Sequence, residues 1–352
     1  MRGIRGVGRN RMNKYNIRKA TQGLANYIIE HTGELGKEKG VAIAYDCRID
    51  SLENAINTAT TLAGNGIKVY LFKSLRTTPE LSFAVRKLKT QAGIMITASH
   101  NPKEYNGYKV YWEDGAQIVD PPKEYNGYKV YWEDGAQIVD PQAKGIVDAV
   151  KAVDIFTGAK YISEKEAIEK NLLVYIDESM DTKYLEAVKK NVINKFVPTR
   201  KEFKIVISPL HGTAGRPVKR VLEEIEFENV FVVPEQFEPN GEFPTCAYAN
   251  PEDTSVFKLS TELADKVGAK LCITNDPDGD RVGIAILDEE NKWFYPNGNQ
   301  IGVLIADYII RSKQDLAKNA TMISTIVSTP LLDTIAKRNG VKTFRTLTGF
   351  KY

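Results

Sequence analysis

Two short stretches hold the residues whose types and spacing could do chemistry. The first is GIMITASHNPKEYNGYK, residues 93 to 109. An apolar, partly β-branched run (Ile94, Met95, Ile96, Thr97) reads as a strand that delivers Ser99, His100 and Asn101 to its end, where Pro102 cannot continue the ladder. A hydroxyl nucleophile is thereby presented on a tight loop. His100 can carry a proton near neutral pH, and Lys109 follows in the next apolar segment, close enough to face the same cleft. A lone Ser-His pair is usually a capped turn and a satisfied loop histidine; here the pair sits at a strand end with a lysine following.

The second stretch is NDPDGDR, residues 275 to 281. Asp276, Asp278 and Asp280 alternate between the apolar runs KLCIT and VGIAIL, so one loop can turn three carboxylates toward a single point. Hard oxygen ligands in that number suit Mg²⁺ with a coordination position left open for a phosphate oxygen. A calcium EF-hand loop also begins D-x-D-x-D, but Arg281 stands at the sixth position, where that loop needs glycine, and Leu287 at the twelfth, where it needs glutamate. A merely solvated acidic turn is disfavoured because crowded carboxylates repel one another unless a cation joins them. On this reasoning Asp278→Asn relieves repulsion while losing a ligand, and weakens Mg²⁺ binding far more than folding.

These stretches need a scaffold of some size, and 352 residues are enough for two or three domains. The 48 basic and 45 acidic residues leave a net charge of +3, too balanced for nucleic-acid or membrane-surface binding; a phosphorylated small molecule needs only local positive charge. Cys47, Cys246 and Cys272 are far apart with no C-x-x-C or histidine spacing, and read as free thiols in a reducing compartment. No apolar run is long enough to cross a bilayer, and the basic N-terminal MRGIRGVGRNRMN lacks an apolar signal core, so a cytoplasmic location is expected. Oligomeric state is left open.

The positioning elements alternate along the chain. Ile17, Ala20, Leu24, Tyr27 and Ile28 recur at helical spacing over residues 13 to 31; GVAIAYD, KVYLF and AGIMITAS read as strands, with helices in SLENAINTATTLAGNG and TPELSFAVRKLK between them. A second series follows from about Ser179: helix DTKYLEAVKKNV, strand KIVISPL, loop HGTAG, helix RPVKRVLEEI, strand NVFVV, helix VFKLSTELADKVG and strand KLCIT. GNQIGVLIADYII and TMISTIVST begin a third. Strands alternating with helices imply right-handed crossovers and mainly parallel sheets, whose ligands bind at the carboxyl ends of strands. The expected fold is therefore α/β, with consecutive α/β domains of mixed, largely parallel sheets, the third incomplete: residues 1–178, 179–296 and 297–352.

One feature of the chain is not ordinary structural repetition. Residues 102 to 121, PKEYNGYKVYWEDGAQIVDP, recur without a change as residues 122 to 141. Evolved repeats drift in sequence, so identity over 20 residues indicates a recent tandem duplication or an error of construction or assembly rather than a solenoid. Continuity with Ser99 favours the first copy in the native position, and Pro121-Pro122 favours a break between the copies.

TASHNP followed by YNGYK resembles the phosphoserine loop of the α-D-phosphohexomutase superfamily, the phosphoglucomutases and phosphomannomutases, and DPDGDR resembles the metal loop of the same superfamily. SPLHGTAG (residues 208 to 215), YDCR (Tyr45 to Arg48) and TPELSFAVR are similar to further family segments; His211 reads as structural, since SPLHGTAG lacks nucleotide-site spacing. The resemblance implies that Ser99 is phosphorylated, that Asp276, Asp278, Asp280 and a phosphate oxygen on Ser99 hold Mg²⁺, and that His100 and Lys109 move hydroxyl protons. It implies substrate contacts from Arg281, from Arg2 in a basic N-terminal loop that lacks the family's usual Gly-Thr-rich lead, and from Lys351 in TLTGFK. The implied reaction interconverts glucose 1-phosphate and glucose 6-phosphate through a hexose 1,6-bisphosphate that also serves as activator. Mannose or pentose phosphates are the alternative substrates. A catalytically defective fragment is the alternative of another kind, since the family's sugar-reading loop and distal phosphate clamp lie beyond the stretch that ends at Tyr352.

Overall fold

The computed structural model describes residues 6–7, 12–112, 142–194, 197–313 and 316–347, folded into three consecutive α/β units. In the first, β1 (Gly6–Val7) precedes α1 (Lys14–Lys39), whose N-terminus is capped by Asn13 accepting from the amides of Tyr15 and Asn16 at 3.1 and 3.0 Å. Ile17, Ala20, Leu24 and Ile28 fall on one face and are fully buried. The sequence places the end of this helix near residue 31; the structure carries it to Lys39 through a kink at Gly33, where φ of 59° suits glycine.

Then come β2 (Val41–Tyr45), α2 (Ser51–Gly64), β3 (Val69–Phe72), α3 (Thr78–Leu88), β4 (Ala92–Ile96), β5 (Tyr105–Asn106), β6 (Tyr108–Trp112), α4 (Gln142–Ala152), α5 (Glu164–Glu169) and β7 (Leu173–Ile176). The sheet order is β6-β4-β2-β3-β7; β6 runs antiparallel to β4 and the other pairs are parallel. Every residue of β2 and β4 is buried because both faces are covered. Ile43 and Ile94 join the cluster formed with α1 and α2, whereas Ala42, Ala44 and Met95 pack with Leu81, Ala84 and Val85 of α3. Each such isoleucine or leucine stabilises the fold by about 1.5–3 kcal/mol.

The second unit contains α6 (Ser179–Lys189), β8 (Lys204–Ser208), α7 (Gly215–Glu224), β9 (Asn229–Val232), α8 (Pro234–Phe237), α9 (Lys258–Val267), β10 (Leu271–Asn275), β11 (Val282–Leu287) and β12 (Trp293–Phe294). Its order is β12-β11-β10-β8-β9, with β9, β8 and β10 parallel and β11 and β12 antiparallel. The third unit has α10 (Gly298–Ser312), opened by a reciprocal Asn297–Gln300 capping box, then β13 (Thr321–Thr325), α11 (Leu331–Arg338) and β14 (Lys342–Thr346), with β13 and β14 parallel. The architecture is thus α/β throughout, with mixed and mostly parallel sheets.

The first copy of the repeated segment supplies β5 and β6, so Lys109 pairs with Met95 ten residues after Ser99. Residues 122 to 141 lie outside the described residues. Among the described residues no helix is long and apolar enough to cross a membrane.

Candidate active site

Ser99 lies just beyond the carboxyl end of β4 in a left-handed conformation, φ 54°, and is 4% exposed. A non-glycine residue there is strained by about 1–2 kcal/mol, so neighbouring groups must hold it. The Thr97 hydroxyl accepts from Ser99 N at 2.8 Å, and Arg48 donates to Ser99 O at 2.6 Å. The side chain points the other way: Ser99 Oγ donates to Asp276 Oδ2 at 2.7 Å, across 177 residues of sequence. His100 Nδ1 stands 3.4 Å from the same Oγ. The nucleophile loop of the first unit and the acidic loop of the second thus meet.

The acidic loop turns between β10 and β11 through Gly279, whose φ is 68°. A Cβ on Gly279 would lie 2.9 Å from Thr77 Cγ2, so the loop sits directly on the N-terminus of α3. Thr78 N donates to Asp278 O and Thr78 Oγ1 to Asp278 Oδ2, both at 2.8 Å. From below, Thr213 N and Oγ1 both donate to Pro277 O at 2.9 Å. A Cβ on Gly212 would come within 2.4 Å of Pro277 Cα, which is backbone and cannot swing aside. Gly212→Ala is therefore expected to force the two loops apart and cost about 1–3 kcal/mol, read as a lowered midpoint in a thermal melt. His211, fully buried with Nε2 2.8 Å from Thr245 Oγ1 and its pKa lowered by burial, serves this support, as its sequence context implies.

Asp276, Asp278 and Asp280 each offer an oxygen, and the three oxygens lie within 4.8 Å of one another. Burial, with the charges of Asp278 and Asp280, pushes the Asp276 carboxyl up to about 9. Burial and Asp278 also raise Asp280. Asp278 goes the other way: burial opposes its charge, but Lys109 Nζ at 2.6 Å, with further hydrogen bonds, holds it well below the usual carboxylate range. Lys109 also lies 3.6 Å from Asp280 Oδ2. A neutral Asp276 hydrogen-bonded to Asp278, with Asp280 at the same point, fits a divalent cation that would displace the proton.

This geometry revises the expectation for Asp278→Asn. Lys109 already neutralises Asp278, so removing that charge weakens the pairing of a buried ammonium, which then faces Asp280 at 3.6 Å, instead of relieving repulsion. The relief belongs to Asp276. Of the other sequence-derived residues, Arg281 donates its backbone N–H to Asp276 Oδ1 at 2.9 Å, while its half-exposed side chain reaches Glu252 at 3.9 Å. Arg2 and Lys351 lie outside the described residues. Sequence reasoning gave no individual role to Arg48, Thr78 or Thr97; the signal was a D-x-R triplet, Asp46 to Arg48, at a strand end.

Three family models match in order along the chain: phosphoglucomutase/phosphomannomutase α/β/α domain I over residues 1–121, domain II over 182–289 and domain III over 297–352. The first ends where the first copy of the repeat ends. Phosphoglucomutase of Staphylococcus epidermidis is 38% identical over 354 residues, covering 100% of this chain and 59% of that protein. That of Staphylococcus saprophyticus is 34% identical, covering 99% and 58%. The chain thus spans somewhat over half the length of the curated relatives it matches. Solved structures share the fold: a putative phosphomannomutase from Thermus thermophilus has a TM-score of 0.73 at 23% identity, covering 99% of this chain and 68% of that one. Pp63/parafusin from Paramecium has a TM-score of 0.70 at 19% identity, covering 99% and 62%. The loop that presents Ser99 and the loop that carries the aspartates fall within matched domains I and II, and from these successive matches the chain belongs to the phosphoglucomutase/phosphomannomutase family.

Proposed function

We propose that this chain carries the phosphoryl-transfer centre of a phosphohexomutase acting on glucose 1-phosphate and glucose 6-phosphate, with Ser99 as the phosphorylated nucleophile. The observation that carries the reading is the 2.7 Å contact between Ser99 Oγ and Asp276 Oδ2, which puts a hydroxyl against a carboxylate cluster able to hold a metal. In the half-reaction with glucose 1,6-bisphosphate, Ser99 Oγ bonds to phosphorus as the bond from phosphorus to the sugar oxygen breaks. His100 Nδ1, the imidazole nitrogen 3.4 Å from Oγ, takes the serine proton, and Lys109 protonates the departing sugar oxygen. The products are phosphoserine and a hexose monophosphate; the reverse step at the other sugar oxygen completes the exchange. Asp276, Asp278 and Asp280 would hold Mg²⁺, which would supply charge neutralisation at the transferring group. Arg281, Arg2 and Lys351 are assigned to substrate phosphate, and the chain is divided into domains 1–178, 179–296 and 297–352. Mannose and pentose phosphates are the competing substrates. The test is turnover of glucose 1-phosphate with catalytic glucose 1,6-bisphosphate and Mg²⁺, beside mannose 1-phosphate and ribose 1-phosphate; preference for either of the latter would overturn the choice of sugar.

Mg²⁺ binding should depend on pH in a definite direction. Below about 9 the metal-free Asp276 carboxyl keeps its proton, so the cation must displace it. Apparent affinity is expected to rise about tenfold per pH unit between roughly pH 6 and 8. Calorimetric titrations in buffers of different ionisation enthalpy measure both the slope and the proton released. An affinity independent of pH would show that Asp276 is already ionised.

A further inference from the structure

We propose that Arg48 is a positioning residue for Ser99, and that its guanidinium fixes the nucleophile by chelating the backbone of the loop that presents it. Both terminal nitrogens are used: Nη2 donates to Ser99 O at 2.6 Å and Asn101 O at 2.5 Å, and Nη1 to Pro102 O at 2.9 Å and Tyr105 O at 2.8 Å. Four carbonyl dipoles pointing at one spot repel each other, so this loop shape requires a cation at its centre. The residue is 3% exposed, and water cannot substitute easily. A lysine ammonium supplies one point charge with three donors, whereas the planar fork of arginine spans oxygens on both of its arms.

Strand register puts Arg48 there. Tyr45 of β2 lies beside Ile96 of β4, so three residues beyond each pairing come Arg48 and Ser99. Asp46 anchors the fork: Oδ1 accepts Arg48 N at 3.0 Å and Ser51 Oγ at 2.8 Å, while Oδ2 lies 3.4 Å from Nε. The second unit closes over the same place. Arg48 Cζ is 5.1 Å from the Phe243 ring centroid, and Cys47 Sγ donates to His211 O at 3.1 Å. A Cβ on Gly241 would meet Cys47 O at 2.5 Å. Ser99 is therefore held at both ends, its carbonyl by Arg48 and its hydroxyl by Asp276, and the left-handed turn is the conformation that satisfies both.

The catalytic part of this inference rests on the proposed phosphoryl transfer; the conformational part does not, and two measurements on the full chain separate them. The first is the rate of phosphate incorporation into Ser99 from glucose 1,6-bisphosphate with Mg²⁺. Arg48→Lys is expected to lower the saturated rate about 100-fold while leaving the half-saturating donor concentration and Mg²⁺ affinity unchanged, because the nucleophile is displaced and the metal loop is not. Added methylguanidine is expected to restore part of the rate to Arg48→Ala. A wild-type rate in Arg48→Lys, or parallel loss of rate and metal affinity, would overturn the assignment. The second is amide hydrogen exchange, which needs no reaction. Arg48→Lys is expected to speed exchange about tenfold across residues 97–106 while β8 and β10 stay protected. Unchanged exchange in 97–106 would overturn the clamp even if the wild-type chain takes up phosphate. Fast exchange there in a chain that takes up none would leave the clamp standing and refute the proposed function.

Discussion

Ser99→Ala is expected to abolish stable incorporation of phosphate from glucose 1,6-bisphosphate, lowering its rate by about 10⁴-fold or more, the scale on which enzymes lose rate when the covalent nucleophile is removed. The fold should survive. The substitution gives up one hydrogen bond to Asp276, about 1 kcal/mol, and alanine meets the same left-handed backbone that serine already occupies. The comparison is of the rate and extent of phosphate incorporation between two proteins of matched melting temperature. A Ser99→Ala protein that retains more than a few per cent of the wild-type rate of phosphate incorporation would show that the hydroxyl is a cap on the turn and nothing more.

Asp276→Asn is expected to separate metal binding from stability. In the metal-free protein Asp276 is the neutral member of the cluster, its carboxyl pushed up to about 9 by burial and by Asp278 and Asp280. An asparagine copies that neutral acid: its oxygen can accept from Arg281 N or Ser99 Oγ, and its amide can donate as the acid proton does. Stability should change by no more than about 1 kcal/mol, because one neutral hydrogen-bonding group replaces another of the same shape. Mg²⁺ affinity should fall by about 100-fold or more, since an amide cannot supply the charge the cation requires. Asp278→Asn should behave differently, costing about 1–3 kcal/mol of stability as well, because it removes the charge 2.6 Å from the buried Lys109 ammonium and leaves Asp280 at 3.6 Å to face it. Thermal melts and Mg²⁺ titrations on the two variants decide the matter; equal stability losses would mean that Lys109 does not single out Asp278.

Much of this was legible in the sequence, and the reasons differ by residue. The alternation of β-branched runs with helical spacing gave β2, β3, β4, β8, β9 and β10 with α2, α3, α7 and α9 between them, because buried parallel strands are continuous apolar runs, and the apolar run after the acidic loop gave the antiparallel β11. β7 was not legible: LVYI is four residues with an exposed valine, and it becomes a strand by pairing at the edge beside β3. β14 was missed similarly, since KTFRT has neither alternation nor an apolar run, whereas α11 was missed although Leu331, Leu332, Ile335 and Ala336 recur at helical spacing. Ser99 and the three aspartates announced themselves by local motif. What Lys109 does to Asp278 could not be read, because 169 residues separate them and only the docking of two units joins them. Arg48 was hidden for a related reason: its partners are backbone carbonyls, which leave no trace in residue types, and only the register of β2 against β4 brings them together.

The central claim is that Ser99 and the aspartate loop form one phosphoryl-transfer site. Peptide mass mapping after incubation with glucose 1,6-bisphosphate, with Mg²⁺ and with a chelator, tests it most directly. The account predicts one added phosphate on the peptide containing Ser99 when Mg²⁺ is present, and none when it is removed. Phosphate on a different residue, or none on Ser99 with Mg²⁺ present, would contradict it.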